Sequence, residues 1–156
     1  MELKRKNGLP SVHAEGTAKG TLNSADLDSC DLSYAVLDDL IMQGSHLDDA
    51  NLTGASLRRA DLYWATCFAT NFSGADLSEA DLRGALLANA NFQGANLTWA
   101  NLGRDALAGS TTLRGADLST ANLTGTQLTG AVYNRATRFP EGFEPAKHGM
   151  IFTEEE

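Results

Sequence analysis

Ala75-Asp76-Leu77-Ser78-Glu79-Ala80-Asp81-Leu82-Arg83-Gly84-Ala85-Leu86-Leu87-Ala88-Asn89-Ala90-Asn91-Phe92-Gln93-Gly94 is one five-residue unit written four times. The four share a small first residue and a large apolar centre; the residue between them is Asp or Asn in three and Leu86 in the other, and two further residues complete the unit. Working outward, centres recur every five residues from Leu22, through Met42, Cys67, Phe72 and Phe92, to Leu107. After one extra residue they resume at Leu113 and run to Tyr133. Of 23 centres 18 are Leu, and 15 of the residues two before them are Ala, so the consensus is A-(D/N)-L-x-x. A short fixed period means one small unit stacked many times.

A period of five suits neither a helix nor a plain alternating strand. The Ala and Leu of one unit are two apart and point to one side of an extended segment. The fifth residue breaks that alternation, so the chain turns once per unit, with Gly and polar residues supplying turn chemistry. Four units close a square and the next twenty residues stack on it. The expected class is all-β, a solenoid of about six coils and roughly 27 Å long at strand spacing.

This motif resembles the pentapeptide-repeat family, whose members fold as a right-handed quadrilateral β-helix. The resemblance covers residues 20–133 and implies that centres and the residues two before them face inward. The segment Tyr133-Asn-Arg-Ala-Thr-Arg-Phe-Pro-Glu-Gly-Phe143 resembles the terminal stretch of members common in photosynthetic bacteria.

Three regions depart from the repeat. Residues 1–19, with Lys4, Arg5, Lys6, Gly8 and Pro10, are expected to be a mobile tail. Residues 103–112 carry the phase slip. With Leu107 as a centre, Asp105 would be buried unpaired. The expected local register therefore puts Ala106 and Ala108 inside and Asp105 outside, as a bulge. Residues 134–156 leave the pattern and form a capping segment and tail. There Phe139 and Phe143 can cover the last apolar layer, and Pro140 and Pro145 discourage further strand pairing. Cys30 and Cys67 fall on inward positions nearly two coils apart, too far for a mutual disulfide, and suit a reducing compartment. No apolar run follows the basic N-terminus, so a cytoplasmic location without signal peptide or membrane contact is expected.

No nucleotide-binding loop, nucleophile elbow or Cys/His metal spacing is present, so no catalytic residue and no cofactor is expected. The nearest constellation is Asp26, Asp28, His46, Asp48 and Asp49, which twenty-residue stacking puts on neighbouring coils of one face. It reads as a weak divalent-cation candidate or as a solvated acidic face. The net charge is −8, which argues against direct nucleic-acid binding. Some members of the resembled family protect DNA gyrase by imitating DNA. B-DNA, however, carries a charge per about 1.7 Å of axis, roughly twice the density of this rod, whose acids are interrupted by Arg58, Arg59, Arg83, Arg104 and Arg114.

Ile41, Tyr63, Trp64, Phe68 and Leu86 occupy outward positions near one corner. Such a patch marks a partner site, or it is aromatic stacking that stabilises the ladder. The reading is a non-catalytic rod acting as a protein-interaction scaffold for an unknown partner, as a monomer or else a dimer. A DNA mimic and a cation-binding protein are the alternatives.

Overall fold

The computed structural model describes residues 2–5, 12–13, 21–107 and 109–154. Its dominant feature is a ladder of single parallel bridges, which join residues twenty apart except across the phase slip and at Asp117–Arg138. Thr21 pairs with Ile41, Asp26 with His46, Asp31 with Asn51 and Val36 with Ser56, and the next rung repeats them. Backbone bonds run between rungs, as from Leu22 N–H to the Ile41 carbonyl at 2.7 Å and from His46 N–H to Ala25 at 2.9 Å. The chain thus lies over itself every twenty residues, satisfying buried backbone groups without long strands.

Each corner is a β-turn in which the N–H of the next unit's small residue donates to the centre's carbonyl, as Ala85 to Leu82 at 3.1 Å. At most corners the second residue after the centre takes positive φ, as a type II turn requires. Gly84 has φ 71° and Gly94 φ 68°, but Tyr34, Trp64 and Trp99 also sit there at 57–60°. The Asp or Asn before the centre accepts the N–H two residues on: Asp76 from Ser78 at 3.0 Å, Asn91 from Gln93 at 3.0 Å, Asp117 from Ser119 at 3.0 Å. This side-chain turn is the physical reason for the consensus Asp/Asn.

Inside, Leu27, Leu47, Leu82, Leu87 and Leu97 are fully buried, with Ala60, Ala80 and Ala90 leaving them room. Phe72 and Phe92 stack at 5.0 Å and 6° on adjacent rungs. Cys30 and Cys67 are buried in the same core, and burial pushes the Cys67 thiol pKa up.

The phase slip differs from expectation. Leu86 pairs with Thr112 and Asn101 with Gln127, 26 residues apart, so six residues stand outside the stacking. Leu107 is 80 % exposed and no centre, Ala106 is exposed, and Asp105 is buried at 5 %. Ala108 lies outside the described residues. The bulge that was to expel Asp105 instead expels its neighbours, because Asp105 finds donors on another rung.

Of the N-terminal stretch expected as a mobile tail, β1 (Glu2–Arg5) and β2 (Val12–His13) are described as strands. The remaining residues of 1–20 lie outside the described set. β1 pairs antiparallel with β2 and with β3 (Cys30–Asp31), through Lys4–Asp31 and Arg5–Cys30. At the other end β4 (Val132–Tyr133) pairs in parallel with β5 (Ile151–Phe152). Phe139 and Phe143 stack at 5.1 Å and pack against the core, and Phe143 stacks on His148 at 4.4 Å. A 3₁₀ turn, Pro145–His148, leads into β5.

Candidate functional site

The stacking brings Ile41 beside Asp61 and Leu86 beside Thr66, so the apolar corner extends over neighbouring rungs. Ile41, Trp64, Phe68 and Leu86 are 38–50 % exposed, whereas Tyr63 is half-buried. The corner divides into two parts with different chemistry.

One part closes on the out-of-register loop. The Asp105 carboxylate accepts from Trp64 Nε1–H at 2.6 Å, Tyr63 Oη–H at 3.0 Å, Gly109 N–H at 2.5 Å and Leu107 N–H at 2.9 Å. Asp105 N–H returns a bond to the Gly109 carbonyl at 2.9 Å. Burial works against the charged form, but these donors outweigh it and hold the Asp105 pKa below the usual carboxylate range. Burial and the Asp105 bond raise that of Tyr63. Trp64 lies against Gly84 and Gly109, where a Cβ would come within 2.8 and 2.9 Å of its ring. Thr111 fills the next small-residue slot, its Oγ1 accepting from Gly84 N–H at 3.0 Å and within 3.0 Å of the Leu82 carbonyl.

Asp105 is the residue that sequence reasoning misplaced. The available signal was the register itself: Tyr63 and Trp64 stand two rungs below Gly103 and Arg104, with Gly84 between, so their polar edges reach this level.

The other part remains open. Phe68 walls a cavity of about 530 Å³ with Ala88, Thr112, Arg114, Asn134 and Ala136, and Leu86 pairs with the Thr112 of that wall.

The acidic group is brought onto one face but not into a ligand set. Asp28 accepts from Asp48 N–H at 2.9 Å, Asp48 from Phe68 N–H at 2.8 Å, and Asp26 from Asp28 N–H at 3.3 Å. The carboxylates bond backbone along the ladder. Among the described residues no cluster of three His, Cys, Asp or Glu is arranged to hold a metal ion. Elsewhere acids pair with arginines: Asp38 with Arg58 at 2.6 Å and Asp81 with Arg83 at 2.5 Å. The Arg58 guanidinium holds the Asp38 pKa down to about 2. No helix among the described residues is long and apolar enough to cross a membrane.

Pentapeptide repeats, in eight copies, match residues 30–66, 67–104 and 104–132. The chain belongs to the pentapeptide-repeat family. Among solved structures it is similar to Rfr23, a pentapeptide repeat protein from the cyanobacterium Cyanothece 51142 (36 % identity, TM-score 0.46, 64 % of this chain and 63 % of that one). It is also similar to alr5209, a pentapeptide repeat protein from Nostoc Pcc 7120 (34 %, TM-score 0.43, 82 % and 84 %). A third is a pentapeptide repeat protein of the Arabidopsis thaliana thylakoid lumen (33 %, TM-score 0.46, 67 % and 66 %). The chain thus spans a little under two thirds of the first and third of these. Comparison with curated proteins gives no match.

Proposed function

We propose that this pentapeptide-repeat protein is a non-catalytic scaffold whose ladder closes as a right-handed quadrilateral β-helix of about six coils and binds a protein partner. The observation that carries this is the open half of the apolar corner, Phe68 and Leu86 beside a 530 Å³ cavity. Contiguous exposed apolar surface on a rigid frame favours a partner at little ordering cost. The partner is a protein, not nucleic acid or a membrane, bound by a cytoplasmic monomer. The buried Cys30 and Cys67 fit a reducing compartment. The DNA-mimic alternative draws on the net charge of −8, but Arg58, Arg59, Arg83 and Arg138 pair with acids and break the negative stripe.

Because Tyr63 and Trp64 hold Asp105, they serve the rod as well as the surface, and the test rests on Phe68 and Leu86. A photo-crosslinker at position 68 should capture a defined protein in extracts of the source organism, and Leu86→Ser should abolish that capture. The same crosslinker at position 79 should capture nothing comparable. Equal yields from both positions would sink the assignment. A dimer of the protein itself as the captured species would convert the reading to self-association.

A further inference from the structure

On the face that carries Tyr63, a cavity of about 760 Å³ opens between the later rungs and the C-terminal 3₁₀ turn. Arg83, Arg104, Lys147 and His148 line it. In a chain with 12 basic and 20 acidic residues, this gathering runs against the overall charge. Among the described residues that line it the one acid is Asp105, already occupied by four donors.

The cations are positioned by their neighbours. Arg83 gives Nε and Nη2 to Asp81 at 2.9 and 2.5 Å, and its guanidinium lies 5.7 Å from the Tyr63 ring centre. That fixes the side chain and leaves Nη1 without a hydrogen bond among the described residues. Arg104 lies along Gly130, where a Cβ would come within 3.0 Å of Arg104 Cβ and 3.2 Å of Nε. Its guanidinium makes no ion pair among the described residues. Lys147 pairs with Glu144 at 2.7 Å, but both side chains are well over half exposed, and such pairs are weak and readily exchanged. Asn101, Gln127 and Thr129 add neutral polar groups to the walls.

We propose that this cavity is a binding site for a small polyanion carrying phosphate or carboxylate groups, held by Arg83, Arg104 and Lys147. The volume falls in the range of small-molecule sites. A guanidinium presents parallel donors that match an oxyanion, and an oxyanion is the group that would complete Arg104. Arg83 is held ready, so less freedom is lost on binding.

Pyrophosphate and citrate are the probes, titrated calorimetrically into the full chain at ionic strength held constant with sodium chloride. Saturable binding of at least one is expected, with a rise in melting temperature. Arg104→Gln/Lys147→Gln should weaken it about 100-fold, roughly tenfold for each charged contact. Arg135→Gln, outside the cavity, should leave it unchanged. Both replaced side chains are exposed, and an unchanged melting curve without ligand verifies that the variant folds. Binding of pyrophosphate alone assigns a phosphate ligand, and of citrate alone a carboxylate. No saturable binding of either probe, or equal affinity in the double variant, overturns the proposal.

Discussion

Tyr34, Trp64 and Trp99 adopt a left-handed backbone conformation that bulky residues seldom take, and each does so beneath a glycine. A Cβ at Gly54 would come within 2.6 Å of the Tyr34 ring, at Gly84 within 2.8 Å of Trp64, and at Gly125 within 2.3 Å of Trp99. The ring lies against the bare Cα of the neighbouring rung, a contact that works against the backbone strain. Gly74 has the same positive φ but nothing within 4 Å of its virtual Cβ. Gly74→Ala should therefore cost only the left-handed strain, about 1 kcal/mol. Gly125→Ala should cost more because Trp99 must also move. Thermal melts of the two compare them directly, and equal losses would mean that the rings contribute nothing.

The inward and outward positions give a second test at this scale. Leu82 is fully buried, so Leu82→Asp puts a charge in the apolar stack and should unfold the rod. Asp76→Asn should be nearly silent, because the amide oxygen can still accept from Ser78 N–H and Asn96 Nδ2. The outward Asp positions were legible in the repeat. Their turn-forming role was not, since it lies in a bond the pattern does not display.

Among the elements, the loop after Arg104 is tied by the Asp105 side chain, which accepts the Leu107 and Gly109 N–H groups. Asp105→Ala removes the acceptor for Trp64, Tyr63, Leu107 and Gly109 together, four bonds that are only partly open to solvent, and leaves those donors to water. Trypsin should then cut after Arg104 faster than in the wild type, and the melting temperature should fall by several degrees. Unchanged cleavage would mean that the loop holds itself. The folded-state pKa of Asp105 is lowered, and those of Asp38 and Asp117 fall to about 2 from 3.8. A depressed carboxyl pKa binds its proton less readily in the folded state than in the unfolded. Stability from these groups is complete above the unfolded value and is lost as pH falls through the folded one. The melting temperature should hold near neutrality and drop from about pH 4 towards pH 2. Asp105→Asn should flatten the Asp105 share of that drop. A profile identical to wild type would remove Asp105 from the account.

For the whole molecule, the acidic groups are tied into local bonds, and among the described residues they are not gathered into a metal site. Asp28 and Asp48 each accept a backbone N–H from the rung above, which leaves the face without an assembled cage for a cation. Millimolar calcium or magnesium should barely move the melting temperature. A saturable rise lost in Asp28→Ala/Asp48→Ala would instead establish a site.

The sequence alone determined the repeating unit, the inward Leu and Ala, and the twenty-residue stacking. Each depends on contacts that recur at a fixed spacing, so apolar periodicity suffices to specify them. Tertiary structure alone decided the fate of Asp105. Locally, burying Ala106 and Ala108 and expelling a carboxylate is the cheaper register. The donors that reverse this, Trp64 Nε1–H and Tyr63 Oη–H, lie 41 and 42 residues earlier in the chain. Only the stacked rungs bring them within reach, where several hydrogen bonds to one charge outweigh its desolvation.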